Sequence, residues 1–318
     1  MKKIVSLVLA ALMLAAVFAL SGCKTPVKPD ETVIRMAALK GPTGMGVAPL
    51  MNTETYKQYD ITIGSDPSAV TSQFIAGEFD VAALPVNVAS VLYNKLEGDV
   101  VILGITTLGV LYVLENGNEI NSMADLSGKT LYATGQGSTP EYILNYLLEK
   151  NGLTDVTVEF KAEHSELATL MAEGSVALGM MPEPNVTASM MQNQALRVAL
   201  NLTEEWNKVS DSQLVQGVLI ARRSFVKDHE ALVRKLMEDY KAAAELVNTA
   251  TDEVAQMIVD AGILPKAPIA KSAIPRCNIV FITGDEMAKS LTEMYTVLFG
   301  ADPKSIGGKL PESDIYFK

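Results

Sequence analysis

GEFDVAALP occupies residues 77–85, and GSVALGMMP occupies residues 174–182. Gly opens and Pro closes each phrase at the same spacing, with small or apolar residues filling most of the space between. The match continues outward. DITIGSDPSAVTSQFIAGEFDVAALPVNVAS begins at Asp60, and DVTVEFKAEHSELATLMAEGSVALGMMPEPNVTAS begins at Asp155. Each copy opens on β-branched or alternating residues, Ile61-Thr62-Ile63 and Val156-Thr157-Val158, which predict a strand. A helix follows, with Leu167, Leu170 and Met171 of the second copy sharing one helical face. Gly77 and Gly174 stand just past the helix ends, where the left-handed cap position favours glycine. The strands at 81–84 and 176–181 are almost continuously apolar, as buried parallel strands are.

One further unit precedes each copy. TVIRMAAL (32–39) predicts a strand running into Lys40-Gly41-Pro42-Thr43-Gly44, and KTLYA (129–133) one running into Thr134-Gly135-Gln136-Gly137-Ser138. Each half reads strand, loop, helix, strand, helix, strand, which is the grammar of a parallel sheet covered by helices. The fold class is therefore α/β, with two lobes of similar design. LGVLYVLE (108–115) and LVQGVLIA (214–221) are extended and placed to carry the chain between lobes. The expected division is lobe 1 at 32–111 and 218–318 and lobe 2 at 112–217, bending near Tyr112 and Gly217. Helices are expected at 228–248, 251–261 and 285–299.

The first 22 residues read as an export signal. Lys2 and Lys3 precede an apolar stretch from Ile4 to Leu20, interrupted only by Ser6, which leads into Leu20-Ser21-Gly22-Cys23. Those four residues resemble a bacterial lipobox, which implies that Cys23 is lipidated, palmitate included, and becomes the mature end. Residues 23–31 are then a polar tether. With Cys23 lipidated, Cys277 has no disulfide partner. The net charge is −11, and Lys2 and Lys3 lie in the signal segment, so the exported chain is more acidic still. Such a chain neither wraps nucleic acid nor sits by charge on an anionic bilayer.

Lipobox, paired lobes, two crossings and a helical tail together resemble the solute-binding lipoproteins of ABC importers, in the branch serving alkanesulfonates, nitrate and thiamine-precursor pyrimidines. SMADLSGKTLYATGQGSTPEYIL (122–144) and SIGGKLPESDIYF (305–317) are similar to segments of that branch. The resemblance implies a two-lobed periplasmic-binding-protein-like fold of type II with two hinge crossings. It also implies a monomer anchored by lipid to the outer face of the cell membrane, a small organic or anionic solute, and permease subunits as partners. An exported enzyme on the same scaffold acting on a pyrimidine-like heterocycle is the alternative, as is a lipoprotein kept for interaction alone.

Ligands of open parallel sheets sit beyond the carboxyl ends of the strands, so four loops are candidates. Gly41 to Gly46 offers backbone access at Thr43, Gly44 and Met45, while Pro49 disturbs any helix begun at Thr43. Ser138-Thr139-Pro140-Glu141 reads as a capping box; Ser138 either satisfies the helix's own N–H groups or, with Thr139, faces an anion. Asn87 follows Pro85. Glu183, held between two prolines, is either a solvated acid or the partner of an amine or aminopyrimidine. Arg276 and Asn278, in IPRCNIVFITG, complete the set, Arg276 having the fork that suits a carboxylate or sulfonate. Trp206 and Tyr112 are expected to pack in the core.

Catalytic and cofactor signals fail on inspection. Gly128-Lys129-Thr130 lacks the first P-loop glycine, since Met123 stands there, and the dinucleotide-like run from Gly135 ends on Pro140. His164 and His229 are the only histidines and are far apart, so no metal site is expected, and both look exposed. No Gly-x-Ser-x-Gly elbow is present. No cofactor is expected.

Overall fold

The computed structural model describes residues 32–318. The signal segment, Cys23 and the tether lie outside the described residues.

Strand β1 (Ile34–Leu39) leads into a short helix α1 (Pro42–Met45), then β2 (Tyr59–Gly64), α2 (Pro67–Ala76), β3 (Val81–Pro85), α3 (Val86–Lys95) and β4 (Val101–Leu108). The chain continues as β5 (Leu111–Asn116), β6 (Thr130–Thr134), α4 (Thr139–Lys150), β7 (Thr157–Lys161), α5 (His164–Ala172), β8 (Leu178–Pro182), α6 (Asn185–Gln192), β9 (Leu196–Asn201) and α7 (Leu202–Asn207). It then returns as β10 (Val215–Ala221), followed by α8 (Arg223–Asp228), α9 (Glu230–Val247), α10 (Asp252–Asp260), α11 (Ala267–Ala273), β11 (Ile279–Ile282) and α12 (Gly284–Ala301).

The strand orders explain the repeated phrase. One sheet runs β2-β1-β3-β10-β4-β11 and the other β7-β6-β8-β5-β9. β1, β2 and β3 are mutually parallel, as are β6, β7 and β8, and β10 and β5 run antiparallel beside β3 and β8. Each sheet thus receives one reversed strand from a chain that has just left the other. Gly77 and Gly174 are both left-handed, at φ 82° and 79°, and each ends the helix that feeds the repeated strand.

Within each sheet the apolar runs are covered by helices. β3 and β8 bury all but their final proline, and α9 buries Leu232, Val233, Leu236, Tyr240, Ala243, Ala244 and Val247 along one stripe. Each fully buried Val or Leu contributes roughly 1.5–3 kcal/mol.

The passages between sheets differ from the expected positions. The outward one is Gly109-Val110, between β4 and β5, and the return lies between α7 and the start of β10 at Val215. Tyr112 and Gly217 sit inside paired strands, opposite Met181 and Pro85. Within the outward link the Val110 carbonyl accepts from Glu183 N at 2.9 Å. The three tail helices form within two residues of the expected ends. The 41–46 loop is instead α1, and Pro49 sits in a 3-10 turn, Ala48–Met51, where its missing N–H costs nothing.

Candidate functional site

Parallel strands fix which ends face one another. The carboxyl ends of β1, β3 and β4, with the starts of β10 and β11, form one surface. The carboxyl ends of β6, β8 and β9, with the start of β5, form the other. These surfaces are in contact.

Glu183 is at the centre of the meeting. Its carboxylate is 1% exposed. Oε1 accepts from Arg276 Nε at 2.5 Å and from Thr187 Oγ1 at 2.9 Å, and Oε2 accepts from Thr187 N at 3.1 Å. Arg276 Nη2 also donates to Thr187 Oγ1 at 2.6 Å, and the Tyr112 hydroxyl donates to the Arg276 carbonyl at 2.9 Å. Burial pushes the Glu183 carboxyl up, while the guanidinium and the two Thr187 donors pull it back without cancelling the rise. Glu183 is therefore not a solvated acid on a turn. Both oxygens are already engaged, and their chief partner is Arg276. The Arg276 side chain keeps 33% of its surface exposed.

A second contact joins the strand-end helices. Thr139 Oγ1 donates to Asn87 Oδ1 at 3.1 Å, bridging the starts of α3 and α4, and Asn87 Nδ2 donates to the Ser305 carbonyl at 3.4 Å. Beside it, a groove of about 840 Å³ between α4 and α12 is lined by Glu141, Tyr142, Glu149 and Asp302 among others.

Ser138 departs from the expected capping box. Its hydroxyl donates to the Gly135 carbonyl at 2.6 Å, and Glu141 accepts from Gly137 N at 2.6 Å, one residue before the N-cap. Gly135 and Gly137 are left-handed, which folds the loop back on itself and takes both side chains away from the cap. Asn278, also left-handed at φ 44°, reaches Gly109 O with Nδ2 and so braces the outward passage. Met45 is wholly buried in the core beneath β1, and a Cβ at Gly44 would stand 2.5 Å from the Leu39 carbonyl; both are packing positions. Thr43 stays half-buried and donates to the Leu39 carbonyl at 3.2 Å.

Of the nine candidates the structure joins Glu183 to Arg276 and Asn87 to Thr139, and brings Thr43 against Gly217. Trp206 and Tyr112 are core residues. His164 was expected at the surface. It is instead bonded through Nδ1 to Thr134 Oγ1 at 2.7 Å, at the carboxyl end of β6, and burial pushes its pKa down. Thr187 was not singled out; its place one helical turn after Glu183 is the signal that pointed to it. Cys277 is free and buried. Among the described residues no group of three or more His, Cys, Asp or Glu could hold a metal, and no helix is long and apolar enough to cross a membrane.

Solved structures share this fold. An ABC transporter structure from Parabacteroides distasonis is 21% identical with a TM-score of 0.77, over 90% of this chain and 99% of that one. The periplasmic aliphatic sulphonate binding protein SsuA from Escherichia coli is 16% identical with a TM-score of 0.71, over 91% and 92%. The periplasmic nitrate-binding protein NrtA from Synechocystis PCC 6803 is 11% identical with a TM-score of 0.59, over 89% and 87%. At these identities the likeness is one of fold. No curated protein matches the chain. A family model described as NMT1/THI5 like matches residues 60–253, across both sheets and both passages. With that match spanning more than half of its length, the chain belongs to the NMT1/THI5-like family.

Proposed function

We propose that the protein is the solute-binding lipoprotein of an ABC importer, which captures a small solute between its lobes and delivers it to a membrane permease without breaking a bond. The observation that carries the reading is Arg276, which comes from the lobe of β11 and grips Glu183 and Thr187 in the lobe of β8. A solute that engages the remaining N–H donors of this guanidinium binds a group tied to both walls. Its affinity is then linked to closure, as a binding protein requires, because a ligand with equal affinity for open and closed states shifts nothing.

Arg276 favours an anionic group on the solute, and its fork suits a planar or tetrahedral oxyanion. Sulfonate and nitrate fit that description, and the similar structures include proteins described as binding them. Glu183 serves here by orienting Arg276. The lobes in this reading divide at the two passages, Gly109-Val110 and the link that ends at Val215. Cys23 carries the lipid that holds a monomer at the outer face of the cell membrane.

A thermal-shift screen tests the proposal, using full chain unfolded and refolded to remove any carried solute. The panel is taurine, alkanesulfonates, nitrate, aminopyrimidines, thiamine, riboflavin and amino acids. A true solute at about 100 times its dissociation constant stabilises by roughly 2.7 kcal/mol. A well-folded protein that none of them stabilises counts against this solute class.

A further inference from the structure

The hydrogen bonding of the cleft surface is incomplete at one place. Among the described residues, Thr106 Oγ1, Thr107 Oγ1, Thr203 Oγ1, Gln216 Nε2 and the Tyr240 hydroxyl are buried atoms with no hydrogen-bond partner. Thr106, Thr107 and Gln216 stand at the ends of β4 and β10 that face the other lobe, and Thr203 in the first turn of α7.

The register between β4 and β10 shows how they came there. It passes from Val215 opposite Leu108 to Gly217 opposite Thr107, and then to Val218 opposite Ile105. Gln216 on one strand and Thr106 on the other are skipped, so each is a bulge, a device that re-aims a side chain. Thr106 and Thr107 would point to opposite faces of a regular strand. Here both hydroxyls lie 3.1 Å from where a Cβ on Gly217 would stand, with the Thr43 methyl 2.9 Å from the same point. The Tyr240 hydroxyl comes up from α9 beside Thr106, 2.5 Å from where a Cβ on Gly46 would stand. Thr106, Thr107 and Tyr240 are at most 1% exposed. Glycines at 46 and 217 let three hydroxyls approach closely, with Tyr240 beside Thr106 and none of the three in a hydrogen bond of good geometry.

Buried hydroxyls without partners are rare in native proteins, and each asks for an explanation. We infer that Thr106, Thr107 and Tyr240 form an uncharged subsite that takes a neutral hydrogen-bonding group of the solute, such as a hydroxyl, amide or ring nitrogen. The inference rests on the solute-binding reading above. No charged side chain belongs to the cluster. Thr107 pairs with Ile279, three residues on from Arg276, so about 10 Å of backbone separates Arg276 from the strand position facing Thr107. The solute then carries an anionic group and a neutral polar group.

The test uses full chain and the variant Thr106→Val/Thr107→Val, which keeps shape and removes both hydroxyls. Without solute, the variant is expected to melt no lower than wild type, because neither threonine hydroxyl makes a hydrogen bond of good geometry. A fall of several degrees would show that the hydroxyls already hold a protein group or a fixed water, and would overturn the inference. With solute, the probes are 2-hydroxyethanesulfonate and ethanesulfonate, which differ by one hydroxyl. Wild type is expected to prefer the hydroxylated probe at least tenfold, and the variant to lose that preference. A preference that survives in the variant, or is absent from wild type that binds both, overturns the subsite. If wild type binds neither probe, the sulfonate reading fails by itself. The melting comparison then decides the subsite: a variant at least as stable supports it, and a less stable one rejects it.

Discussion

Arg276 Nε lies 2.5 Å from Glu183 Oε1 across a sequence separation of 93 residues. The acid is fully buried and the base partly open, so the pair joins a dry wall to a wet one. Removing the carboxylate strands Thr187 N and the guanidinium together. Breaking a buried pair commonly costs about 3–5 kcal/mol, and the part-exposed Arg276 places Glu183→Ala near the lower figure. Urea unfolding measures the loss. Combined with Arg276→Met, the second change should add much less than it costs alone, since contacting residues couple by roughly 0.5–3 kcal/mol.

His164 makes stability depend on pH. Burial lowers its native pKa below the ordinary imidazole value of about 6.5. The unfolded chain therefore binds the proton more readily than the native one, and stability rises with pH in that window. The loss begins as pH falls below about 6.5 and is complete once it passes the lowered native value. His164→Gln, which can still bond Thr134, should flatten this slope when unfolding is compared at neutral and mildly acidic pH.

Two glycines meet close neighbours but should respond differently to alanine. A Cβ on Gly46 would stand 2.5 Å from the Tyr240 hydroxyl, at the end of a rigid, wholly buried ring. A Cβ on Gly179 would stand 2.4 Å from Met171 Sδ, on a side chain with free torsions. Gly46→Ala is expected to cost about 1–3 kcal/mol, and Gly179→Ala clearly less. Thermal melts of the two variants rank them.

Trp206 is the only tryptophan. It is fully buried, donates through Nε1 to the Ser212 carbonyl at 2.8 Å, and packs against Tyr146 with ring centroids 4.8 Å apart. Native fluorescence should be blue-shifted and poorly quenched by acrylamide, with both properties lost on unfolding.

The two sheets were legible because their signals are local. Gly77 and Gly174 close helices that feed apolar strands, and that pattern needs no knowledge of distant residues. The passages were misplaced by a few residues because extended chain reads alike whether it pairs, as Tyr112 does, or links, as Val110 does. Glu183 and Arg276 were each visible as candidates, but their pairing depends on how two lobes meet. Ser138 looked like a cap by spacing, and the left-handed glycines around it decided otherwise. The Thr106–Thr107 cluster was missed entirely. Two consecutive threonines ending an apolar strand, just before Gly109, were the available hint, but only the register against Gln216 and Gly217 gives it meaning.

The most direct measurement is equilibrium binding of the solute panel to wild type and to Arg276→Lys, with circular dichroism confirming that both are folded. Lysine keeps the charge and loses the fork. The account predicts that at least one anionic solute binds wild type at micromolar concentration or below, and that Arg276→Lys weakens it tenfold or more. A folded wild type that binds no anion, or one whose affinity is indifferent to Arg276, would contradict it.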